Sequence, residues 1–207
     1  MIRVFVARHG ETEWNREGRW QGQGGPGLNE TGRIQARALA MRLSALRVDA
    51  LFSSDLDRAR ETAQIVATAT GLEPAFDPGL REVDVGDWRG LTRDEVSRRD
   101  PDGYRRWLGG VAGWNGGETY DEMYARVVAA VERLVAASVV GRIAVISHGG
   151  AVRALAAHAV GLPKHDRLRI EGARNCSLTT LDYQSNSARL VGYNDDGHLP
   201  PAFPAAG

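Results

Sequence analysis

Apolar residues follow two rhythms along this chain. Ile2 to Ala7 is a short run rich in Val, Ile and Phe, which reads as a strand. Behind Asn29, a residue suited to an N-cap, Ile34, Ala38, Met41 and Ala45 recur at helical spacing, with Leu39, Leu43 and Leu46 beside them. Ala50 to Ser53 reads as a second strand. Asp55 is placed to cap a helix that runs to about Thr70 and closes at Gly71. Thr119 with Glu122 forms a capping-box pattern opening a long helix to about Ser138. Arg142 to Ser147 is another strand, followed through Gly149 and Gly150 by a helix to about Val160. Ser177 to Tyr183 and Ala188 to Tyr193 complete the predicted strands.

Strands alternating with helices predict an α/β fold: a three-layer α/β/α sandwich with a mostly parallel central sheet. The stretch from about Gly86 to Gly117 breaks the alternation. It is rich in Gly, Trp and charge, and reads as a small inserted cap of short helices within a single domain spanning 1–207.

Composition narrows the function classes. The chain has 207 residues, 43% hydrophobic and 25% charged, which suits a globular protein able to bury a core without disulfides. The 26 basic and 26 acidic residues cancel, so the basic excess of a nucleic-acid-binding protein is absent. Lys164 is the only lysine, so a lone arginine carries little information; arginines beside other chemistry carry more. Cys176 stands alone and reads as a buried apolar thiol. No apolar stretch approaches membrane-spanning length, and Val4 to Ala7 is too short for a signal peptide, so no membrane partner and a cytoplasmic location are expected.

In open α/β sheets, ligands bind beyond the carboxyl ends of the strands. Arg8 and His9 follow the first strand, Arg58 stands in the first turn after the second, and His148 follows the Arg142–Ser147 strand. Three distant segments thus deliver arginine or histidine to one rim. Such a set suits an anion, and phosphate best fits arginine's planar fork of donors. Gly149 and Gly150 at a helix start add backbone N–H groups. Zinc is the weaker alternative, because adjacent arginines oppose a cation. A neutral histidine whose other ring nitrogen donates to a carbonyl is a competent nucleophile toward phosphorus. The leaving alkoxide needs a proton, for which Glu82 is the best-placed candidate.

Arg8-His9-Gly10-Glu11-Thr12, followed by Trp14-Asn15, resembles the opening of the histidine phosphatase superfamily, in its phosphoglycerate-mutase-like branch. Gln21-Gly22, Leu28 to Gly32, Ser53 to Leu56 with Arg58-Ala59, and Leu80 with Glu82, Gly86, Trp88 and Gly90 extend the match. So do Gly116 to Thr119, Ser147 to Gly150, Asn175 with Ser177, and Asn194-Asp195 with His198-Leu199. The resemblance implies that His9 becomes phosphorylated. It implies that Arg8, Arg58 and His148 clamp the phosphoryl group, with Asn15, Gln21 and Gly149 as further binding positions, and that Glu82 donates the proton. It implies no metal and no organic cofactor.

The chain departs from that pattern at Gly25-Pro26-Gly27-Leu28, where many relatives carry an acid. Gly22 to Gly27 also spells GxGxxG, but it lies past the strand end and contains Pro26, so dinucleotide binding is not expected. His158 reads as structural, His165 as a solvated loop residue, and His198 as structural or pocket-supporting. Trp88, Trp107 and Trp114 read as packing, with a substrate wall as the alternative. The expected activity is metal-independent hydrolysis of a small phosphorylated metabolite. The alternatives are a cofactor-dependent phosphoglycerate mutase and a non-catalytic phospho-ligand module. The compact stretch Val83 to Trp88 argues against the mutase, whose branch carries a longer basic insertion there; the complete set Arg8, His9, Arg58, Glu82 and His148 argues against the module. Phosphoglycerate, its glycosylated derivatives, phosphoserine, a phosphosugar and a ribazole phosphate all fit as substrates.

Overall fold

Alternation along two neighbouring strands decides which helices cover which side of the sheet. In the computed structural model, which describes residues 1–139, 141–163, 169–184 and 187–201, the elements run in chain order as follows. They are β1 (Ile2–Arg8), α1 (Glu13–Arg16), α2 (Glu30–Ala45), β2 (Ala50–Ser53), α3 (Asp57–Thr70), β3 (Pro74–Phe76), α4 (Arg93–Arg99), α5 (Pro101–Leu108), α6 (Tyr120–Ala137), β4 (Arg142–Ser147), α7 (Gly149–Ala159), β5 (Leu178–Gln184) and β6 (Ser187–Asp195). β1 and β4 pair in parallel, with Val4 opposite Ile143 and Phe5 opposite Ala144. Period-two alternation sends Val4, Val6, Ile143 and Val145 to one face, where they pack with Met123, Val127 and Val131 of α6 and Leu155 of α7. Phe5, Ala7, Ala144 and Ile146 face the other way, onto Leu39 and Leu43 of α2 and Ala59 and Val66 of α3. Both strands are apolar on both faces, as a sheet covered on two sides requires.

The strand order is β3-β2-β4-β1-β5-β6. The four strands β3, β2, β4 and β1 run parallel; β5 is added antiparallel to β1, and β6 antiparallel to β5. This is the expected three-layer, mostly parallel architecture. It aligns the carboxyl ends of β1, β2 and β4, where the His9 N–H donates to the Ser147 carbonyl at 2.9 Å and the Ser54 N–H to the Ile146 carbonyl at 2.9 Å. Among the described residues, no helix is long and apolar enough to cross a membrane.

The caps expected at Asn29, Thr119–Glu122 and Gly71 are formed. One local reading is corrected. Asp55 does not cap α3: the N-cap is Leu56, without a side-chain bond. Asp55 instead takes a bidentate pair from Arg81, at 2.7 and 2.6 Å, and the guanidinium holds its carboxyl below the usual range. The stripe Ile34, Ala38, Met41 and Ala45 is not the buried face of α2; Met41 is 69% exposed, while Gln35, Ala36, Leu39, Ala40 and Leu43 are buried. Both stripes have helical spacing, and only the position of the sheet selects between them.

The stretch 86–117 folds as a 3-10 turn at Gly86–Trp88 followed by α4 and α5. Asp100 caps α5, accepting from the Gly103 N–H at 2.8 Å. Trp88 and Trp114 are buried against Trp20, and a side chain at Gly113 would meet the Trp88 ring at 2.4 Å. The His165 expectation lies outside the described residues.

Candidate active site

Where β1 ends, its last pair of residues reaches the rim. His9 is 3% exposed. Its Nδ1 lies 2.7 Å from the Gly10 carbonyl oxygen, which can only accept, so Nδ1 carries the hydrogen and Nε2 keeps its lone pair. Arg58 Nε donates to that Nε2 at 3.1 Å. Burial first, and then the charges of Arg58 and Arg8, hold the imidazole pKa well below its ordinary value. The side chain is therefore a neutral base pointed among cations. Arg8 Nη1 donates to the Ala173 carbonyl at 2.8 Å, while its Nε is buried without a partner. Burial lowers the Arg8 pKa and the Glu82 charge opposes the shift.

Arg58 is held by backbone. Besides His9, it donates to the carbonyls of Gly24 at 2.6 Å and Gly22 at 2.7 Å. Burial lowers its pKa to about 10, with the Glu82 charge opposing and the Arg8 charge adding. The glycine-rich loop thus has a role that its dinucleotide-like spelling did not suggest. Gly22 adopts φ +54° and a side chain there would meet Val85 at 2.7 Å, so the turn that presents both carbonyls needs glycine.

Glu82 arrives on the loop after β3. Its Oε1 accepts from the Val83 N–H at 2.9 Å and its Oε2 from the Gly150 N–H at 2.9 Å, at the start of α7. Arg126, paired with Glu118, fastens that loop by donating to the carbonyls of Gly79, Arg81 and Glu82. Asn15 accepts through Oδ1 from the Thr12 N–H, and Thr12 Oγ1 also donates to Gln21.

A cavity of about 710 Å³ opens here, lined by Arg8, His9, Asn15, Gln21, Arg58, Glu82 and Gly149 among others. Seven of the eight sequence-derived positions therefore line it. His148 lies one layer deeper. It is fully buried, with its ring 5.2 Å from that of His9, its Nε2 2.8 Å from Ser54 Oγ and its Nδ1 without a partner. Burial and the Arg58 charge keep it neutral by lowering its pKa well below the ordinary value. Among the described residues, no group of three His, Cys, Asp or Glu side chains converges as a metal site would require.

The secondary candidates sort clearly. His158 is bound to Tyr124 at 3.1 Å, away from the cavity. His198 supports the site indirectly: its Nε2 donates to the Cys176 carbonyl at 3.0 Å, and the Cys176 N–H in turn donates to the carbonyls of Arg8 and His9. The Cys176 thiol is fully buried, and burial pushes its pKa up. Trp88 and Trp114 are packing residues, whereas Trp107 lines the cavity with Trp14 and Trp20. Sequence reasoning assigned no role to Asn175, whose Nδ2 donates to the His9 carbonyl at 3.0 Å and to Asn15 at 3.2 Å. It also passed over Arg153 and Arg174 on the cavity wall. Arg153 had a signal, standing one helical turn after Gly149; Asn175 stood with Ser177 in the family match and is brought to the site by the turn before β5.

Comparison with known proteins gives concordant results. The sequence model of the histidine phosphatase superfamily (branch 1) matches residues 4–196. A probable phosphoglycerate mutase of Photorhabdus laumondii is 38% identical over 186 residues, covering 89% of this chain and 86% of that one. Among solved structures, a mycobacterial glucosyl-3-phosphoglycerate phosphatase superposes with TM-score 0.88 at 34% identity, covering 95% of this chain and 100% of the other. A phosphoserine phosphatase of Entamoeba histolytica superposes with TM-score 0.85 at 25% identity, covering 97% and 100%.

Proposed function

This chain belongs to the histidine phosphatase superfamily, branch 1, and on that footing we propose that it is a phosphoric monoester hydrolase acting on a small phosphorylated metabolite through a phosphohistidine on His9. The observation that carries the reading is the fixed tautomer of His9: Nδ1 tied to the Gly10 carbonyl and a lone pair on Nε2 beside Arg58. Its similarity to solved phosphatases supports the hydrolase reading.

The phosphoryl group sits against Arg8 and Arg58, with Asn15, Gln21 and the Gly149 N–H around it. His9 Nε2 attacks phosphorus, forming the N–P bond as the P–O bond to the alcohol breaks. The arginines stabilise the charge spread over the equatorial oxygens. His148, its ring 5.2 Å from that of His9, supports this set from beneath and offers Nδ1 as a donor in the tautomer whose Nε2 accepts from Ser54 Oγ. Glu82, held by the Val83 and Gly150 N–H groups on the cavity wall, gives a proton to the leaving oxygen as general acid. Water then attacks the phosphohistidine and gives its proton to Glu82, releasing inorganic phosphate and restoring His9. No step needs a metal, because arginines supply the charge, and no step needs a membrane, in keeping with a cytoplasmic enzyme.

A mutase is the second reading, favoured by the likeness to the Photorhabdus protein. The compact turn after Glu82, with Val83, Val85 and Trp88 buried, speaks for the hydrolase. Rapid-quench labelling decides. A 32P-ester should leave an acid-labile, base-stable adduct on the wild type and none on His9→Ala, with or without a chelator. The label should end in inorganic phosphate. Its appearance in an isomeric phosphoglycerate would establish the mutase, and an adduct on a serine or aspartate would overturn the mechanism.

A further inference from the structure

Two loops from distant parts of the chain meet beside the cavity. The glycine-rich one cradles Arg58, which donates to the Gly22 carbonyl at 2.7 Å and to the Gly24 carbonyl at 2.6 Å. The other carries Glu82. The residue between the two cradling glycines is Gln23, and its side chain crosses to the second loop. Its Nε2 donates to the Glu82 carbonyl at 3.2 Å, and its Oε1 accepts from Arg81 Nη1 at 3.3 Å. A carbonyl only accepts and a guanidinium only donates, so the amide fits one way round.

These contacts close a ring. Arg81 also holds both oxygens of Asp55, at 2.7 and 2.6 Å. Asp55 stands just before α3, and α3 carries Arg58 back to the glycine-rich loop. The loop of the acid is thus tied to the clamp through Asp55 and α3 on one side and through Gln23 on the other. Arg126 also donates to the Glu82 carbonyl, at 3.2 Å, but it ties that carbonyl to α6. Main-chain position matters here, because Oε1 of Glu82 is held by the N–H of the very next residue, Val83. Where the main chain goes, the carboxyl follows.

We infer that Gln23 is a positioning residue that keeps the Glu82 carboxyl in register with the phosphate clamp. This rests on the phosphohistidine reading above, in which the arginines fix phosphorus while Glu82 must stay within hydrogen-bond reach of the leaving oxygen. A misplacement of about 1 Å is enough to cost on the order of 10²-fold in such a step. An apolar, acidic or basic side chain at position 23 could serve at most one of the two contacts. The cradle of Arg58 is made of main-chain carbonyls, so it survives replacement of the Gln23 side chain. Losing Gln23 therefore detaches the acid and leaves the clamp.

The test compares an alkyl ester, glycerol 3-phosphate, with p-nitrophenyl phosphate, whose leaving group needs no proton. Gln23→Leu should lower kcat/KM for the alkyl ester by roughly 5- to 30-fold, the scale of one or two hydrogen bonds, and leave p-nitrophenyl phosphate within about threefold. Gln23→Glu keeps the Arg81 contact but sets a carboxylate against the Glu82 carbonyl, so it should show the same selective loss; it carries the test should Gln23→Leu fold poorly. In a Glu82→Gln background, Gln23→Leu should add no further loss on the alkyl ester. Full activity of both variants on the alkyl ester, equal losses on the two esters, or additive losses in the double variant would overturn the inference. If the wild type hydrolyses neither ester, the phosphatase reading has failed. Hydrogen exchange then tests the positioning alone: Gln23→Leu should speed exchange of the Val83 and Gly150 amides, which hold Glu82, and spare the His9 amide, which is bonded to Ser147. Unchanged exchange at Val83 and Gly150 would overturn it.

Discussion

The strand-end rim and the tryptophan-bearing stretch 86–117 are built by opposite means. At the rim, parallel register alone brings Arg8, His9 and His148 together, because β1 and β4 end side by side. Side chains there are buried yet keep unspent hydrogen-bonding capacity, as at Arg8 Nε and His148 Nδ1. The stretch 86–117, a 3-10 turn and two short helices, is locked by interlocking shapes: Trp88 against Trp20 and Trp114, and Gly113 beneath the Trp88 ring. The first region stores reactivity on a rigid frame, while the second spends its side chains on packing. Substitutions should separate them, with rim changes altering rate and changes at 86–117 altering stability.

The largest effect expected is at Glu82. Glu82→Gln should slow kcat/KM for alkyl phosphates by roughly 10²- to 10⁴-fold, the usual scale of general acid catalysis. With p-nitrophenyl phosphate, whose leaving group needs no proton, the loss should be far smaller. Arg58→Ala should instead depress both substrates by similar factors, since it stabilises charge common to both transition states. Equal losses in Glu82→Gln would remove Glu82 from the acid role. Glu118 would then be a poor substitute, since Arg126 already holds both of its oxygens.

Trp88→Ala probes the other region. It should cost about 3–5 kcal/mol, the range for truncating a buried tryptophan, measured by urea unfolding. Activity per folded molecule toward p-nitrophenyl phosphate should stay within about threefold. A rate loss without destabilisation would erase the distinction between the two regions.

The smallest expected effect sharpens the rim description. His9 and His148 have folded pKa values held below the ordinary 6.5, so the unfolded chain binds more protons below that pH. Stability should therefore be constant above about pH 7 and fall as pH drops through 6.5, before the carboxylate pairs begin to titrate. His148→Asn should flatten that slope in a melting series from pH 7 to 5. An unchanged slope would mean His148 is not kept neutral by burial. Catalysis, by contrast, should not lose His9 to protonation at pH 6.5.

The rim was the legible part of this chain. Strand ends are marked by apolar runs, so the sequence alone assigns Arg8, His9 and His148 to one edge and offers Glu82 as the acid, a reading the family resemblance then strengthened. The helix faces were less legible, because α2 carries two apolar stripes and the sheet chooses Leu39 and Leu43 over Ile34 and Met41. Asp55 shows the same limit: a residue with cap chemistry was captured by Arg81, 26 positions away. The hold of Gly22 and Gly24 on Arg58 was invisible, because carbonyl groups have no letter in a sequence.

The central place of β1 has a consequence for synthesis. Both of its neighbours, β4 and β5, are made long after it. At translation rates of about 5–20 residues per second, Ile2–Arg8 waits on the order of ten seconds for its first partner. During that interval an apolar strand with high β-propensity is exposed on the nascent chain. Arg3 and Arg8 interrupt and end it with charge, the usual guard against aggregation. His9, the proposed nucleophile, is thus synthesised well ahead of most of the residues that surround it in the folded protein.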